Sequence, residues 1–289
     1  MKIQKSFDDD NGIVYVVPTP IGNLEDITYR ALKILETVSV IAAEDTRNTR
    51  RLLSHFEIRT PLISYHEHSK EAREQQLLDR LTQGESIAMV SDAGMPAISD
   101  PGYEFIQEAI KADQSVVVLP GANAALCALV GSGLTTTEFL FYGFLPRKKK
   151  EKYAELQRLK NLQATLLFYE SPHRLKATLM GLHDQLGDRP VAIGRELTKR
   201  FEEYIRGTVS ELIQWAETSE LKGEFCIVVE GAIELSEEMD PFWWSYLSVP
   251  DHVTYYLEDK EYSSKDAIKQ VAEDRHMVRR DVYQAYHVK

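Results

Sequence analysis

Twelve residues, Ser91–Gly102, read SDAGMPAISDPG and bring together two aspartates, two glycines and two prolines. They follow an apolar run, Ile87–Val90, with the character of a buried strand, and lead into a helical pattern that begins near Tyr103. Carboxylates and glycine at the carboxyl end of a strand stand where open α/β folds bind their ligands. Neither GxGxxG nor a GxxxxGK followed by Ser or Thr accompanies them, so the ordinary dinucleotide and phosphate-loop chemistries lose their support. Asp100 followed by Pro101 fits an N-cap with proline at the first helical position, which sets a structural role for Asp100 ahead of a catalytic one.

Two further loops have the same texture. Val17-Pro18-Thr19-Pro20-Ile21-Gly22-Asn23 is stiffened by two prolines, with Gly22 free to turn and Asp26 placed to cap the next helix. Pro120-Gly121-Ala122-Asn123-Ala124-Ala125 opens a helix with small residues that admit a flat ligand or a closely packed backbone. The three loops fall at one edge of one sheet, and their convergence is a stronger signal than any of them alone. Ala43-Glu44-Asp45-Thr46-Arg47 ends another strand, with Asp45 as the natural N-cap and Glu44 and Arg47 available to the cleft. His66-Glu67-His68 has ligand types but neither HExxH nor a cysteine pair, so no metal is expected.

The second half repeats the arrangement with charge. Tyr169-Glu170-Ser171-Pro172-His173-Arg174 and Arg195-Glu196-Leu197-Thr198-Lys199-Arg200 each follow a buried strand. Groups packed that densely form either a surface ion-pair lattice or a polyanion site. Residues 146–160 hold seven Lys/Arg against two Glu, a local excess of +5 in a chain of net charge −11. This run reads as a hinge between domains, solvated or facing a polyanion.

The elements that must position these groups follow from periodicity. Residues 13–17, 39–43, 61–64, 86–90 and 115–119 read as short strands. Helical patterns lie between them at 28–36, 46–55, 70–82 and 103–111, which implies a parallel, doubly wound sheet. A first domain therefore spans 13–144, its last strand being 138–144, after a flexible tail over 1–12. A second α/β domain over 145–233 has strands at 165–169, 190–194, 203–206 and 224–230 and helices at 173–186 and 208–217, close enough for a mixed sheet. After an acidic stretch, 234–240, residues 241–289 form a helical extension. In it 263–272, capped by Ser264, and 279–287 resemble a helix-turn-helix pair or a simple packing unit.

The 289 residues carry 43% hydrophobic and 27% charged side chains, ordinary for a water-soluble globular chain. No run is long enough to span a membrane, and the polar start MKIQKSFDDDNG has no signal-peptide core. Cys127 and Cys226 both sit in apolar runs and read as two buried thiols in a cytoplasmic protein.

SDAGMPAISDPG, VPTPIGNLEDIT, AEDTRNT, LPGANA, GFLPRKKKE, FYESPHR and RELTKRFEE, in this order from about Ile13 to Gly231, resemble the ribosomal RNA small-subunit methyltransferase I family. These are bacterial class III S-adenosylmethionine methyltransferases of the tetrapyrrole-methylase superfamily. The resemblance implies a homodimer of two-domain subunits with S-adenosylmethionine in the cleft. Its substrate would be the ribose 2′-hydroxyl of a cytidine in the decoding region of 16S rRNA, in the small ribosomal subunit. It places the cofactor against Asp92, Ala93, Gly94, Met95, Gly121, Ala122, Tyr169 and Phe225. Pro20 and Ile21 join them from a first loop less glycine-rich than is usual in the superfamily. RNA phosphate would meet Arg147, Lys148, Lys149, Lys150, Arg174 and Arg195.

Methyl transfer to a hydroxyl needs alignment and removal of one proton. Lys199, Glu196 and Glu170 are the expected proton acceptors or relays, Lys199 on the condition that burial beside Arg195 and Arg200 lowers its pKa. Glu44, Asp45 and Arg47 would help position the substrate. A small-molecule, tetrapyrrole-type methyltransferase is the competing reading, and a non-catalytic sensor of S-adenosylmethionine a third. The basic run at 147–152 favours RNA.

Overall fold

A computed structural model describes residues 3–6, 12–66, 70–232, 244, 247–258, 260 and 262–287. The chain divides into two compact units, residues 1–232 and 233–289.

Short, continuously apolar strands with few alternating polar positions suit a sheet covered on both faces. The first sheet is built this way from β1 (Ile13–Val16), β2 (Val40–Ala43), β3 (Leu62–Ser64), β4 (Ile87–Val90) and β5 (Ser115–Val118). All pairings are parallel, in the order β3-β2-β4-β1-β5. Each strand is followed by a helix: α1 (Tyr29–Thr37), α2 (Thr46–His55), α3 (Lys70–Thr82), α4 (Tyr103–Lys111) and α5 (Ala124–Ser132). One core, around Leu35, Ile41, Val17 and Leu119, fills one face, and another, around Phe105, Leu77, Ile87 and Met89, fills the other. β4, β1 and β5 are neighbours, so the loops after them emerge side by side at the carboxyl edge.

The second sheet holds β6 (Phe139–Phe144), β7 (Thr165–Glu170), β8 (Pro190–Arg195), β9 (Glu203–Thr208) and β10 (Phe225–Val229), in the order β6-β7-β10-β8-β9. β6 runs parallel to β7 and the other pairings are antiparallel, giving the mixed sheet that hairpin-length connections imply. α6 (Lys149–Leu159), α7 (Pro172–Leu186) and α8 (Val209–Thr218) cover one face over a core of Leu156, Phe168, Leu179 and Ile227. The opposite face packs on α5 through Leu167, Cys226 and Val228. The helix that follows the last strand of the first sheet thus packs on the second sheet.

Several expectations need correction. Residues 139–144 join the second sheet, because β6 pairs with β7. The basic run is no hinge. From Lys149 it is helical, and Lys152 is buried with its Nζ donating to the Ala177 carbonyl at 2.7 Å. Thr28, not Asp26, caps α1, since Asp26 belongs to a 3-10 turn over Leu24–Asp26. Asp45 caps α2 as expected. Asp100 caps nothing: α4 starts after Gly102, which offers no side-chain cap. Cys226 is buried, but Cys127 is exposed. Of the tail, Gln4 is docked, exchanging hydrogen bonds of 2.8 and 2.9 Å with the Val116 backbone on the edge strand β5. Glu67, His68 and the acidic stretch at 234–240 lie outside the described residues.

The second unit contains α9 (Val249–Glu258), α10 (Ser264–Asp274) and α11 (Arg279–His287), packed around Val253, Ala267, Val271 and Val282. Ser263, rather than Ser264, caps α10.

Candidate functional site

Two of the first sheet's loops are laced together by backbone. Thr19 and Gly94 exchange N–H···O bonds of 3.0 and 2.9 Å, and the Thr19 hydroxyl donates to the Ser91 carbonyl at 3.2 Å. Gly94 has φ +79°, and a Cβ there would crowd Ile21 Cγ2 at 3.2 Å. Glycine at this position is what lets the two loops share one wall. Pro18 packs on Gly121, so the LPGANA glycine serves close loop packing.

The cavity beside this wall has a volume of about 410 Å³, within the range of small-molecule sites, roughly 300–1,000 Å³. The first sheet contributes Ile21, Asp92–Met95, Ile98–Asp100 and Asn123–Ala124. The second contributes Phe144, Tyr169–Pro172, Gly194, Leu197 and Gly223–Cys226. The structure therefore brings Ile21, Asp92, Ala93, Gly94, Met95, Tyr169, Phe225 and Glu170 together at one cavity. Pro20, Gly121 and Ala122 are not among its lining residues.

The carboxylates differ in what holds them. Asp92 accepts from the Asp45 N–H at 3.2 Å and from Asn48 Nδ2 at 3.1 Å. Arg47 is bonded to Asp45 at 2.7 Å and holds that carboxyl down to about 2. Glu170 is buried with both oxygens engaged. Oε1 accepts from the Ser171 N–H at 2.8 Å and pairs with Arg174 at 3.3 Å, and Oε2 accepts from Thr178 at 2.7 Å. The nearby Ser91 hydroxyl, which donates to the Ala93 and Gly94 carbonyls, favours an ionised Asp100. Burial nevertheless pushes its carboxyl up to about 6, and the nearby charge of Asp92 adds to the shift. Burial likewise raises Tyr169 and Cys226 to about 12.

The second half's charged loop is knit to itself. Lys199 Nζ bridges Glu196 at 3.0 Å and Glu224 at 2.9 Å. Burial works to lower the lysine, but the two carboxylates outweigh it and the pKa rises. This reverses the expected depression, because the side chain found two anions rather than Arg195 and Arg200. Burial raises Glu196, yet Lys199 and the Glu224 N–H pull it below its usual range. Arg195 pairs with Glu203 at 2.6 Å and donates to the Lys222 carbonyl at 2.8 Å. Arg174 donates to the Leu145 carbonyl at 2.6 Å. Arg174 and Arg195, two of the three arginines expected to meet phosphate, are thus tied into the protein. Arg147, Lys148, Lys149 and Lys150 are exposed, with Lys148 also paired to Glu151 at 3.0 Å.

Sequence reasoning missed Ile98, Ser99, Asn123, Phe144, Leu197, Gly223 and Glu224, and gave Asp100 to the helix. Ala97 and Ser99 adopt φ +65° and +63°, a backbone path that residue types do not announce. Phe144 carried a usable signal, as the last residue of an aromatic strand just before the basic run.

The family description Tetrapyrrole (Corrin/Porphyrin) Methylases matches residues 13–213. The chain is 52% identical to the ribosomal RNA small subunit methyltransferase I of Bacillus subtilis (strain 168), covering 100% of this chain and 99% of that protein. It is 54% identical to the protein of the same name from Halalkalibacterium halodurans, over 99% of each. Among solved structures, a cobalt precorrin-4 methyltransferase of cobalamin biosynthesis superposes with a TM-score of 0.58 at 17% identity, covering 75% of this chain and 94% of the other. A Thermus thermophilus uroporphyrin-III C-methyltransferase complexed with S-adenyl homocysteine superposes at 0.54 and 17% identity, covering 75% and 97%. At that identity the two structures speak for the fold.

Proposed function

Since the chain belongs to the ribosomal RNA small-subunit methyltransferase I family, within the tetrapyrrole methylases, we propose that it methylates ribosomal RNA with S-adenosylmethionine as donor. The acceptor is the ribose 2′-hydroxyl of a cytidine in the decoding region of 16S rRNA.

One observation carries this reading. A cavity with carboxylates in apolar walls ends at Phe144, and the exposed cations Arg147–Lys150 begin three residues later. Three residues of chain reach about 11 Å at most. A small cationic donor and a polyanionic acceptor therefore find complementary surfaces side by side. The cavity fits the donor in size, and Asp92 and Asp100 suit its positive charge. Ile21, Met95, Leu197 and Phe225 supply the apolar contacts, while Ala93, Gly94, Asn123 and Tyr169 would hold its polar parts.

When bound, the donor supplies a methyl group activated on a sulfonium. The protein's part is alignment, exclusion of water and management of one proton. Arg147–Lys150 hold phosphates and set the approach of the RNA strand, with no base information of their own. A splayed-out nucleotide is the form in which a ribose hydroxyl can enter such a cavity. A second copy of the chain is the partner the resemblance implies, and the exposed Leu126 and Val130 on α5 offer it an apolar surface. No helix among the described residues is long and apolar enough to cross a membrane, in keeping with a cytoplasmic site of action.

The test is transfer of labelled methyl to small ribosomal subunits from cells lacking the protein. A 2′-O-methylated cytidine in 16S rRNA is expected. Absence of label in rRNA, with donor binding intact, would move the reading to a small-molecule acceptor of tetrapyrrole type.

A further inference from the structure

Phe144 lines the cavity because β6 breaks its own alternation. In a regular strand successive side chains point to opposite faces. Leu140 and Tyr142 pack with the core under α6, α7 and α8, and Phe141 packs with the core against α5. By that count Phe144 belongs with Tyr142, on the helix-covered face. The pairing with β7 instead shifts register between Phe141 and Gly143. Phe141 stands opposite Leu167, Gly143 opposite Phe168 and Phe144 opposite Tyr169. Gly143 supplies the left-handed backbone for this bulge, with φ +80°. The slip carries Phe144 to the face of Leu167 and Tyr169, where its ring centre lies 5.7 Å from that of Tyr169. Bulges beside active sites commonly re-aim a side chain in this way.

The bulge leaves the ring unburied. Phe144 is 54% exposed, whereas Leu140, Phe141 and Tyr142 are half-buried and Leu145 is buried. A strand that served only to close the sheet would keep this ring in the core. Gly143 also abuts the loop between β4 and α4, since a Cβ on it would meet Ser99 Oγ at 2.9 Å. There Ala97 and Ser99 hold φ of +65° and +63°, and Ile98 between them is exposed. Two irregular backbones thus meet at the cavity, and each presents an exposed apolar side chain to it, Phe144 and Ile98. Irregularity of this kind clusters at functional sites. After Phe144, the Leu145 carbonyl is fixed by Arg174 at 2.6 Å, and the exposed cations Arg147–Lys150 follow. At most about 11 Å of chain separates the ring from the first of them.

Resting on the acceptor assigned above, we propose that Phe144 is the platform on which the base of the acceptor nucleotide stacks. An exposed aromatic ring beside a cationic track is a common device for holding an unstacked base, because every base has a π face. The cations bind the strand through its phosphates without regard to base. The ring then orders the one nucleotide that reacts. With its base on Phe144, the ribose of that nucleotide stands at the cavity, and the 2′-hydroxyl is presented to the donor's methyl group. The Tyr169 ring supports Phe144 from within the sheet, and the bulge at Gly143 keeps the platform turned toward the cavity.

The experiment measures kcat and KM on small subunits from cells lacking the protein, for wild type, Phe144→Ala, Phe144→Leu and Phe144→Tyr. The salt dependence of subunit binding and the calorimetric affinity for S-adenosylhomocysteine are measured alongside. Phe144→Ala and Phe144→Leu are both expected to lower kcat/KM by about 10–100-fold, the leucine despite its apolar bulk. Phe144→Tyr keeps a ring face and stays within about threefold of wild type, which guards against a general defect of the mutated site. The slope of log K against log salt is expected to match wild type in all three, because a ring neutralises no phosphate. Phe144→Leu turning over within about threefold of wild type would overturn the proposal and leave the ring as apolar packing. So would a fall in S-adenosylhomocysteine affinity that matches the fall in rate, which would make Phe144 part of the donor's wall. A changed sedimentation of Phe144→Ala would assign the ring to a contact between copies of the chain and overturn it as well. An inactive wild type would overturn the rRNA reading and the platform with it, whereas equal activity in wild type and Phe144→Ala overturns the platform alone.

Discussion

The loop between β4 and α4, residues 91–102, and the loop between β8 and β9, residues 196–202, share several features. Each follows a buried strand, each is rich in charge, and each holds two non-glycine residues at positive φ: Ala97 and Ser99 in one, Glu196 and Thr198 in the other. They differ in what their charges meet. In the second loop Lys199 closes on Glu196 and Glu224, and Thr198 Oγ1 accepts from the Asn23 N–H at 3.1 Å, so the loop docks onto the first sheet's loops and neutralises itself. In the first loop Asp92 meets an amide and a backbone N–H, and no cation among the described residues pairs with Asp100. Backbone strain marks both loops as special. The partners of their side chains set them apart, one loop neutralising its own charge and the other keeping its carboxylates on the cavity wall.

The sharpest way to break the first loop is at its last residue. Gly102 has φ +131°, and a Cβ would stand 2.5 Å from the sulfur of the buried Met89. Gly102→Ala is expected to cost about 2–3 kcal/mol of stability and to weaken donor binding, because the wall carrying Asp100 shifts. Thermal melts with and without S-adenosylhomocysteine check it. Unchanged stability would mean that the loop's strain is relieved cheaply and is no guide to function.

A second measurement separates both loops from the RNA surface. Lys148, Lys149 and Lys150 replaced together by Glu should weaken binding of small subunits by about 30-fold at moderate salt. The slope of log K against log salt should flatten by about 0.7 for each phosphate no longer neutralised. Affinity for S-adenosylhomocysteine should hold, since these side chains do not line the cavity. Equal loss of both affinities would show that the run serves α6 alone.

The sequence made the frame readable more fully than the chemistry. Strands such as VIAA and IAMV are too apolar to be anything but buried, and their spacing from helical patterns admits only parallel crossovers. The loops on the shared edge were visible for the same reason. Asp100 was misread because Asp-Pro is a frequent helix start, and nothing local shows that the helix waits until after Gly102. The charges of the RELTKR segment were read as a possible base because density of charge is visible in a sequence and pairing is not. Glu224 lies 25 residues from Lys199 in the chain and is its partner in space. Lys152, counted with the exposed run, is buried because α6 turns that face toward α7.

The first loop also leaves a signature in stability. Asp100 titrates near 6 in the folded chain against 3.8 for the ordinary side chain. Between those values the folded state binds more protons than the unfolded one, so stability falls as pH rises through the window and levels off above it. Partial exposure screens the contribution to about 1 kcal/mol. Urea unfolding of wild type and Asp100→Asn across this range should differ by that slope. Parallel curves would place the Asp100 carboxyl in water-like surroundings and remove the contrast with the second loop's ionised Glu196.

The smallest effect belongs to Lys199, and it decides the comparison. Removing the ammonium with Lys199→Met leaves Glu196 and Glu224 facing each other, although the Glu224 N–H still holds Glu196. The pair is partly exposed, so the loss should be about 1 kcal/mol or less, and smaller in high salt. Turnover on small subunits should stay within about threefold, because the lysine keeps the strap closed and handles no proton. A hundredfold fall in kcat, with affinity for S-adenosylhomocysteine intact, would reverse the assignment. The self-neutralised loop would then be the one that carries the chemistry, with its lysine released from both glutamates when RNA arrives.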